Sequence, residues 1–189
     1  MRKCFSGAAL AAVLLLTASA GAGDDYAVDG MHAGVSFKIS HLGLSWTYGR
    51  FNELSGDFTL DLADPSKSSF NLSIQVNSVD TNNKKRDDHL RSPDFFNVKQ
   101  FPAITFKSTA VKAGKDGYQV TGDLTLHGVT KPVTFALAGG RKAEFPKGVQ
   151  RTGFSTELTL KRSEFGVDKF GQAVGDEVYI AISFEGTRK

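Results

Sequence analysis

The chain has 189 residues, 23 basic and 20 acidic side chains, a formal net charge of +3 and a single cysteine. That length suits one domain with a sizeable core. The near balance of charge makes no case for nucleic acid, which wants a clustered basic surface, and one cysteine excludes an internal disulfide framework.

The first residues read as a secretory leader. Arg2 and Lys3 precede the apolar run GAALAAVLLL, which is too short to span a bilayer. Ala18-Ser19-Ala20 and Ala20-Gly21-Ala22 each fit a small-x-small cleavage site. The expectation is a signal peptide over residues 1–22 and one exported domain over 23–189, with no transmembrane segment, in a bacterial periplasm. Cys4 leaves with the leader, and it lies before the apolar run, where no lipoprotein acylation occurs. Losing Arg2 and Lys3 leaves 21 basic residues against 20 acidic ones.

From there the chain alternates with period two between turn signals, the mark of β-strands with one dry face. The first run puts Val35, Phe37, Ile39 and His41 on one face. Trp46 and Phe51 follow in WTYGRF, with Arg50 between aromatics. Phe58 with Leu60, then Phe70, Leu72 and Ile74, continue the pattern. After a break come Ile104 and Phe106, then Leu124 and Leu126, then Val133, Phe135 and Leu137. Phe154, Leu158 and Leu160 precede a last run of Val178, Ile180, Ile182 and Phe184. About eight such strands make an antiparallel sheet that must hide its dry face. Closing into a barrel also removes the edges, and about eight strands leave an interior that side chains fill or one small ligand occupies. The fold class is therefore all-β, with an immunoglobulin-like sandwich as the competing architecture.

The stretch Asn82 to Pro102 breaks the rhythm. Lys84 to Arg91 can form a short helix that Pro93 stops, and Phe95 and Phe96 follow in a loop. They are expected to plug one end of the barrel, with a moving lid as the alternative. Arg141 to Arg151 reads as a basic hairpin loop, and Gly166 to Asp176 as a glycine-rich one.

No residue pattern demands catalysis. His32, His41, His89 and His127 form no H-x-x-x-H or H-E-x-x-H pair, and there is no nucleophile elbow or phosphate loop. The expected site has no metal, no cofactor and no catalytic residue. His127 lies in LTLHGVTKPVTF, before Gly128, and reads as a turn residue whose ring ties down backbone. His41 shares parity with Phe37 and Ile39 and is expected to face inward, where it needs a polar partner. Arg50 is a candidate for an anionic head group, or for a bridge to Asp87 or Asp88.

Four segments carry a resemblance: YAVDGMHAGVSFKISHLGLSWTYGRF, RDDHLRSPDFFNVKQFPAITFKS, GDLTLHGVTKPVTF, and RSEFGVDKF with VGDEVYIAISFEG. In this order they resemble the YceI-like family. The resemblance implies a lipocalin-like antiparallel barrel with a helix, exported to the periplasm. It also implies an elongated apolar pocket for a polyisoprenoid, isoprenoid quinone or similar amphiphilic lipid. The inward residues named above, Phe37, Ile39, His41, Trp46, Phe51, Phe58, Phe70, Leu72, Ile74, Phe95, Phe96, Ile104, Phe106, Leu124, Leu126, Phe135, Phe154, Leu158, Ile180 and Ile182, are then the expected lining. A lipid-modifying enzyme using His41 or His127 is the alternative from another class. A structural or stress partner of a membrane protein, docking through Asp94 to Pro102, is a third. A homodimer and transient contacts with inner-membrane proteins stay open as partners.

Overall fold

A computed structural model describes residues 23–189. Ten strands appear in chain order: β1 (Asp24–His41), β2 (Ser45–Phe51), β3 (Leu54–Leu60), β4 (Ser69–Gln75), β5 (Val79–Asp80), β6 (Ala103–Ala113), β7 (Gly117–Leu126), β8 (Val129–Glu144), β9 (Gln150–Lys161) and β10 (Val174–Arg188). The helix α1 (Lys84–Arg91) lies between β5 and β6, capped by the Asn83 side chain on the Arg86 amide. Every pairing is antiparallel, and β10 returns to β1, so eight strands close into a barrel: β1, β3, β4, β6, β7, β8, β9 and β10. These are the eight alternating runs of the sequence. The sandwich alternative is excluded by the closure of β10 on β1.

The strand β1 serves two partners on its second edge. Its first half pairs with β3, from Asp24 opposite Leu60 to Ala27 opposite Asp57. After an irregularity between Asp29 and Ala33, its second half pairs with β2, from Val35 opposite Phe51 to His41 opposite Ser45. The short β5 extends that edge beyond β2.

One end of the barrel is packed solid by aromatic rings. Phe58 is the hub: it stacks on Tyr26 at 5.0 Å and Phe70 at 5.6 Å, and meets Phe154 and Phe184 edge-on at 5.5 and 5.8 Å. All five are 4% exposed or less. The Phe58 ring also lies over Gly186, where an added Cβ would come within 2.4 Å of it. We call this end the floor. Among the described residues, two hydroxyls are buried in this half with no hydrogen-bond partner, those of Tyr26 and Thr152.

The wall is less regular at the other end, the mouth. The strands β8 and β9 are laddered from Ala138 opposite Ser155 to Glu144 opposite Gln150, with a bulge after Gly139, whose φ of +122° suits only glycine. Toward the mouth they are joined by side chains instead. Thr156 Oγ1 of β9 donates to the Ala136 carbonyl of β8 at 2.6 Å, and just beyond the end of β9 Glu164 pairs with Lys131 of β8 at 3.6 Å.

The two buried threonines of β9 separate these effects. Thr152→Val removes an unsatisfied hydroxyl at constant shape and should leave stability unchanged or raise it by about 1 kcal/mol. Thr156→Val strips the Ala136 carbonyl of its donor and should lower stability by about 1–2 kcal/mol. Urea unfolding of both variants measures the contrast, and an equal loss in the two would refute it.

Candidate functional site

Above the floor the side chains change from aromatic to aliphatic, and space opens. A cavity of about 170 Å³ is lined by Val35, Phe37 and Ile39 of β1, Phe51 of β2, and Ile74, Ile104, Leu124 and Leu126 of β4, β6 and β7. Leu158 and Leu160 of β9 and Val174, Val178, Ile180 and Ile182 of β10 complete the wall. Toward the floor a second space of about 60 Å³ shares Ile74, Ile104, Leu124, Leu158 and Ile182 with it and adds Phe70, Leu72, Phe106 and Phe135. The two together run along the barrel axis.

The mouth is covered by two loops that the sequence placed far apart. Leu90 of α1, with Phe95 and Phe96 after it, faces the cavity from one side. The 3-10 turn Arg162–Phe165 and Val167 face it from the other. They meet where Phe95 stacks on Phe170 at 5.6 Å, with the His89 ring edge-on to both. His89 is held in turn by Asp94 at 3.1 Å. The second loop is fixed by Arg162, which is 8% exposed. Its guanidinium donates to four carbonyls: Val167 at 2.6 Å, Gly175 at 2.8 Å, Lys169 at 2.9 Å and Val174 at 3.0 Å. Burial pushes its pKa below the ordinary value, against the pull of Asp176 and Asp168.

Of the residues expected to line the pocket, Phe37, Ile39, Phe51, Ile74, Phe95, Phe96, Ile104, Leu124, Leu126, Leu158, Ile180 and Ile182 border the main cavity. Phe70, Leu72, Phe106 and Phe135 border the smaller one. Phe58 and Phe154 belong to the packed floor instead.

Three residues lie elsewhere. In β2, Phe51 and Gly49 pair with the inward Val35 and Phe37, so Trp46, Tyr48 and Arg50 point outward. Trp46 is 44% exposed and sits edge-on to Tyr179 at 5.4 Å. Arg50 binds Asp80 at 3.1 Å on the outer surface, not Asp87 or Asp88. His41 follows a register shift between Ile39 and His41 against β10, which cancels its parity with Ile39 and leaves it exposed. These outward residues line an open groove of about 1200 Å³ on the outer wall. It is larger than the interior cavity but open and mixed in polarity, without the enclosure that holds an apolar ligand.

His127 and Gly128 form the two-residue turn between β7 and β8, with φ values of 51° and 77°. Positive φ at both positions is the geometry of a type I′ hairpin. The imidazole packs edge-on to Phe101 at 4.7 Å, and Nδ1 donates to the Phe165 carbonyl at 3.3 Å. His127 thus anchors the 3-10 turn that closes the mouth.

The sequence profile of the YceI-like domain matches residues 26–186. The chain belongs to the YceI-like family. A UPF0312 protein of Pseudomonas aeruginosa and the protein YceI of Salmonella paratyphi B are each 44% identical to it over the full length of both chains. Among solved structures, BcnA of Burkholderia cenocepacia is 31% identical with a TM-score of 0.74, covering 84% of this chain and 98% of its own. A polyisoprenoid binding domain from Saccharophagus degradans shares the fold at 18% identity, with a TM-score of 0.69 over 87% of this chain and 98% of its own. This YceI-like barrel therefore has its eight-strand ring in common with proteins of quite different sequence.

Three substitutions test the site. Phe37→Asp places an unpaired charge among apolar side chains and should cost about 3–5 kcal/mol. Lys38→Asp, one residue on and outward, should stay within about 1 kcal/mol of wild type. His127→Asn keeps a residue that tolerates left-handed backbone but gives up the Phe165 carbonyl, at a loss of about 0.5–1.5 kcal/mol. Thermal unfolding reads all three, and a His127→Asn protein as stable as wild type would remove its anchoring role.

Proposed function

We propose that this protein is an exported binding protein that holds one long amphiphilic lipid, a polyisoprenoid or isoprenoid quinone, in the barrel interior. The observation that carries the reading is the enclosed, apolar cavity running from the mouth toward the aromatic floor. Each methylene moved from water into such a space gains about 0.8 kcal/mol, so a 20-carbon chain wholly enclosed would gain roughly 16 kcal/mol gross, which requires the lining side chains to draw apart beyond the 170 and 60 Å³ they leave here. Association and ordering remove about 4–15 kcal/mol of that. Where those costs stay below about 8 kcal/mol, greasy contact alone supports micromolar or tighter binding, with no polar motif required. The binding activity in the name of the Saccharophagus degradans domain points the same way.

Binding is favoured over catalysis because the two histidines that could serve an enzyme are placed for other work. His41 is exposed beyond a bulge, and His127 is committed to the Phe165 carbonyl. The polar groups around the cavity are likewise engaged with backbone, Arg162 above all. Export rests on the leader, residues 1–22, which lies outside the described residues. Cleavage after Ala20 or Ala22 would release the barrel into the periplasm, where it would carry or store the lipid.

The test is mass spectrometry of organic extracts from protein purified from its own periplasm. A prenyl lipid near one per chain is the expected result, and a barrel that yields none refutes the reading. Ile182→Phe, which narrows the space shared by the two cavities, should lower the extracted lipid severalfold while the chain stays folded. Edman sequencing of the same protein checks the leader: it should begin at Gly21 or Gly23.

A further inference from the structure

The mouth carries an apolar surface that folding does not need. The turn joining β1 to β2 exposes Leu42 at 56% and Leu44 at 84%, and the loop beside it exposes Phe170 at 51%. The two loops are joined, the Leu42 amide donating to the Ala173 carbonyl at 2.7 Å. Leu42 and Phe170 also hold left-handed backbone, with φ of 55° and 59°. A bulky side chain is unfavourable there, and glycine or asparagine would serve the turn better. Both positions thus combine local strain with exposed apolar area, a double breach of what folding alone would select. Of the other large exposed aliphatic and phenylalanine side chains among the described residues, Leu62 and Phe145 lie in connections at the floor end and Met31 on the bend of β1.

Below the tips the surface changes in layers. Trp46 stands two residues down β2 from Leu44, which is about 7 Å at the rise of a strand. It forms a belt with Tyr179 on β10. The Lys38 ammonium lies 4.9 Å from the Trp46 ring centre and 5.4 Å from that of Tyr179. Apolar tips, then amphipathic rings, then a cation on a flexible stem is the sequence of layers that a lipid surface selects. Charge agrees with it. Among the described residues neither Lys38 nor Lys169, the neighbour of Phe170, is in an ion pair, whereas Lys131 is held by Glu164. The acids nearby are Asp94, Asp168, Asp176 and Glu177; Asp94 is held by His89 and Asp176 by Ser163. Glu177 accepts from the Tyr179 hydroxyl and sits opposite Lys161 across the strands.

We propose that the Leu42–Leu44 turn and the Gly166–Ala173 loop form a docking rim that dips into the surface of a bilayer carrying anionic head groups. The rim sets the mouth of the cavity against the membrane from which its ligand comes, and in that respect it rests on the lipid-binding reading. The Phe95–Phe170 stack joins the mouth cover to the rim, so the surface that meets lipid is also the one that covers the cavity.

Trp46 is the only tryptophan, so its emission reports on the rim alone. The full chain is expressed with its leader, purified, and mixed with vesicles of phosphatidylethanolamine and phosphatidylglycerol, part of them with brominated acyl chains. The expected result is co-flotation, a blue shift of Trp46 and quenching by bromine. Leu42→Asn with Leu44→Ser suits the turn and should fold, and it should weaken vesicle binding by roughly tenfold or more. Uptake of cis-parinaric acid in the absence of vesicles should be unchanged in that variant. The rim is refuted if the wild type ignores vesicles, if the variant binds them equally well, or if the variant's only change is dissociation of a dimer. A protein that takes up parinaric acid but ignores vesicles keeps its cavity function and loses the rim. One that docks on vesicles but takes up no fatty chain keeps the rim and loses the cavity function.

Discussion

Everything in this barrel depends on β1 being paired along both of its edges. On one edge it takes β10 from Tyr26 opposite Arg188 to His41 opposite Val174. On the other it takes β3 and then β2. Side chains alternate along a strand, so this register sends Val35, Phe37 and Ile39 to the interior and Ser36 and Lys38 to the outside, and a slip of one residue would reverse them. The change of partner is made at the irregularity after Asp29. There the Asp29 carboxylate takes Arg151 of β9 and His32, contacts that hold it well below its ordinary pKa. This ion pair between β1 and β9 sits where β1 changes partner from β3 to β2.

The two ends that result are filled by different kinds of side chain. Planar rings pack around Phe58 at 5.0–5.8 Å on the floor. At the mouth the inward positions are mostly valine, leucine and isoleucine, and many stay partly accessible. Between these branched side chains a space of about 170 Å³ is left. An empty apolar space of 170 Å³ costs about 4 kcal/mol at the rate found for engineered cavities, a large share of an ordinary domain's stability. An apolar chain seated there would restore those contacts, and the solid floor offsets the hollow mouth.

How much of this could be read from the sequence follows from the same geometry. The eight ring strands were legible because each has one dry and one wet face, and strict alternation survives in a closed sheet. The helix was legible from Lys84 to Arg91, and the Phe95–Phe96 pair from its place after Pro93. WTYGRF was not legible, because β2 carries aromatic residues on both faces. Phe51 goes in and Trp46 goes out, and only the pairing of β2 with β1 decides it. His41 was misplaced because alternation was carried across a bulge, a feature with no signature in composition. Arg50 was given the wrong carboxylate because β5 is two residues long and brings Asp80 beside it only through the sheet. Phe165, Val167 and Leu90 were missed as lining because they lie outside the alternating runs.

Arg162 was the hardest to see, since a charged residue between strands ordinarily reads as solvated surface. Its burial belongs to a wider device. Arg86 donates to the Thr81 carbonyl at 2.8 Å, and Arg91 to the carbonyls of Asn77 and Val79 at 3.0 and 2.7 Å. Arg151 donates to that of Phe145 at 2.8 Å. A guanidinium offers five donors in a fixed plane, so one side chain can hold several backbone groups that have no ladder partner. Near the mouth this substitutes for a hydrophobic core beneath the loops. If the loops were held by buried apolar side chains instead, those side chains would occupy the cavity. Held by arginine, they cover it while Phe95, Phe96, Phe165 and Val167 turn to line it. The polar anchoring of the mouth and the hollow apolar interior are therefore two parts of one arrangement.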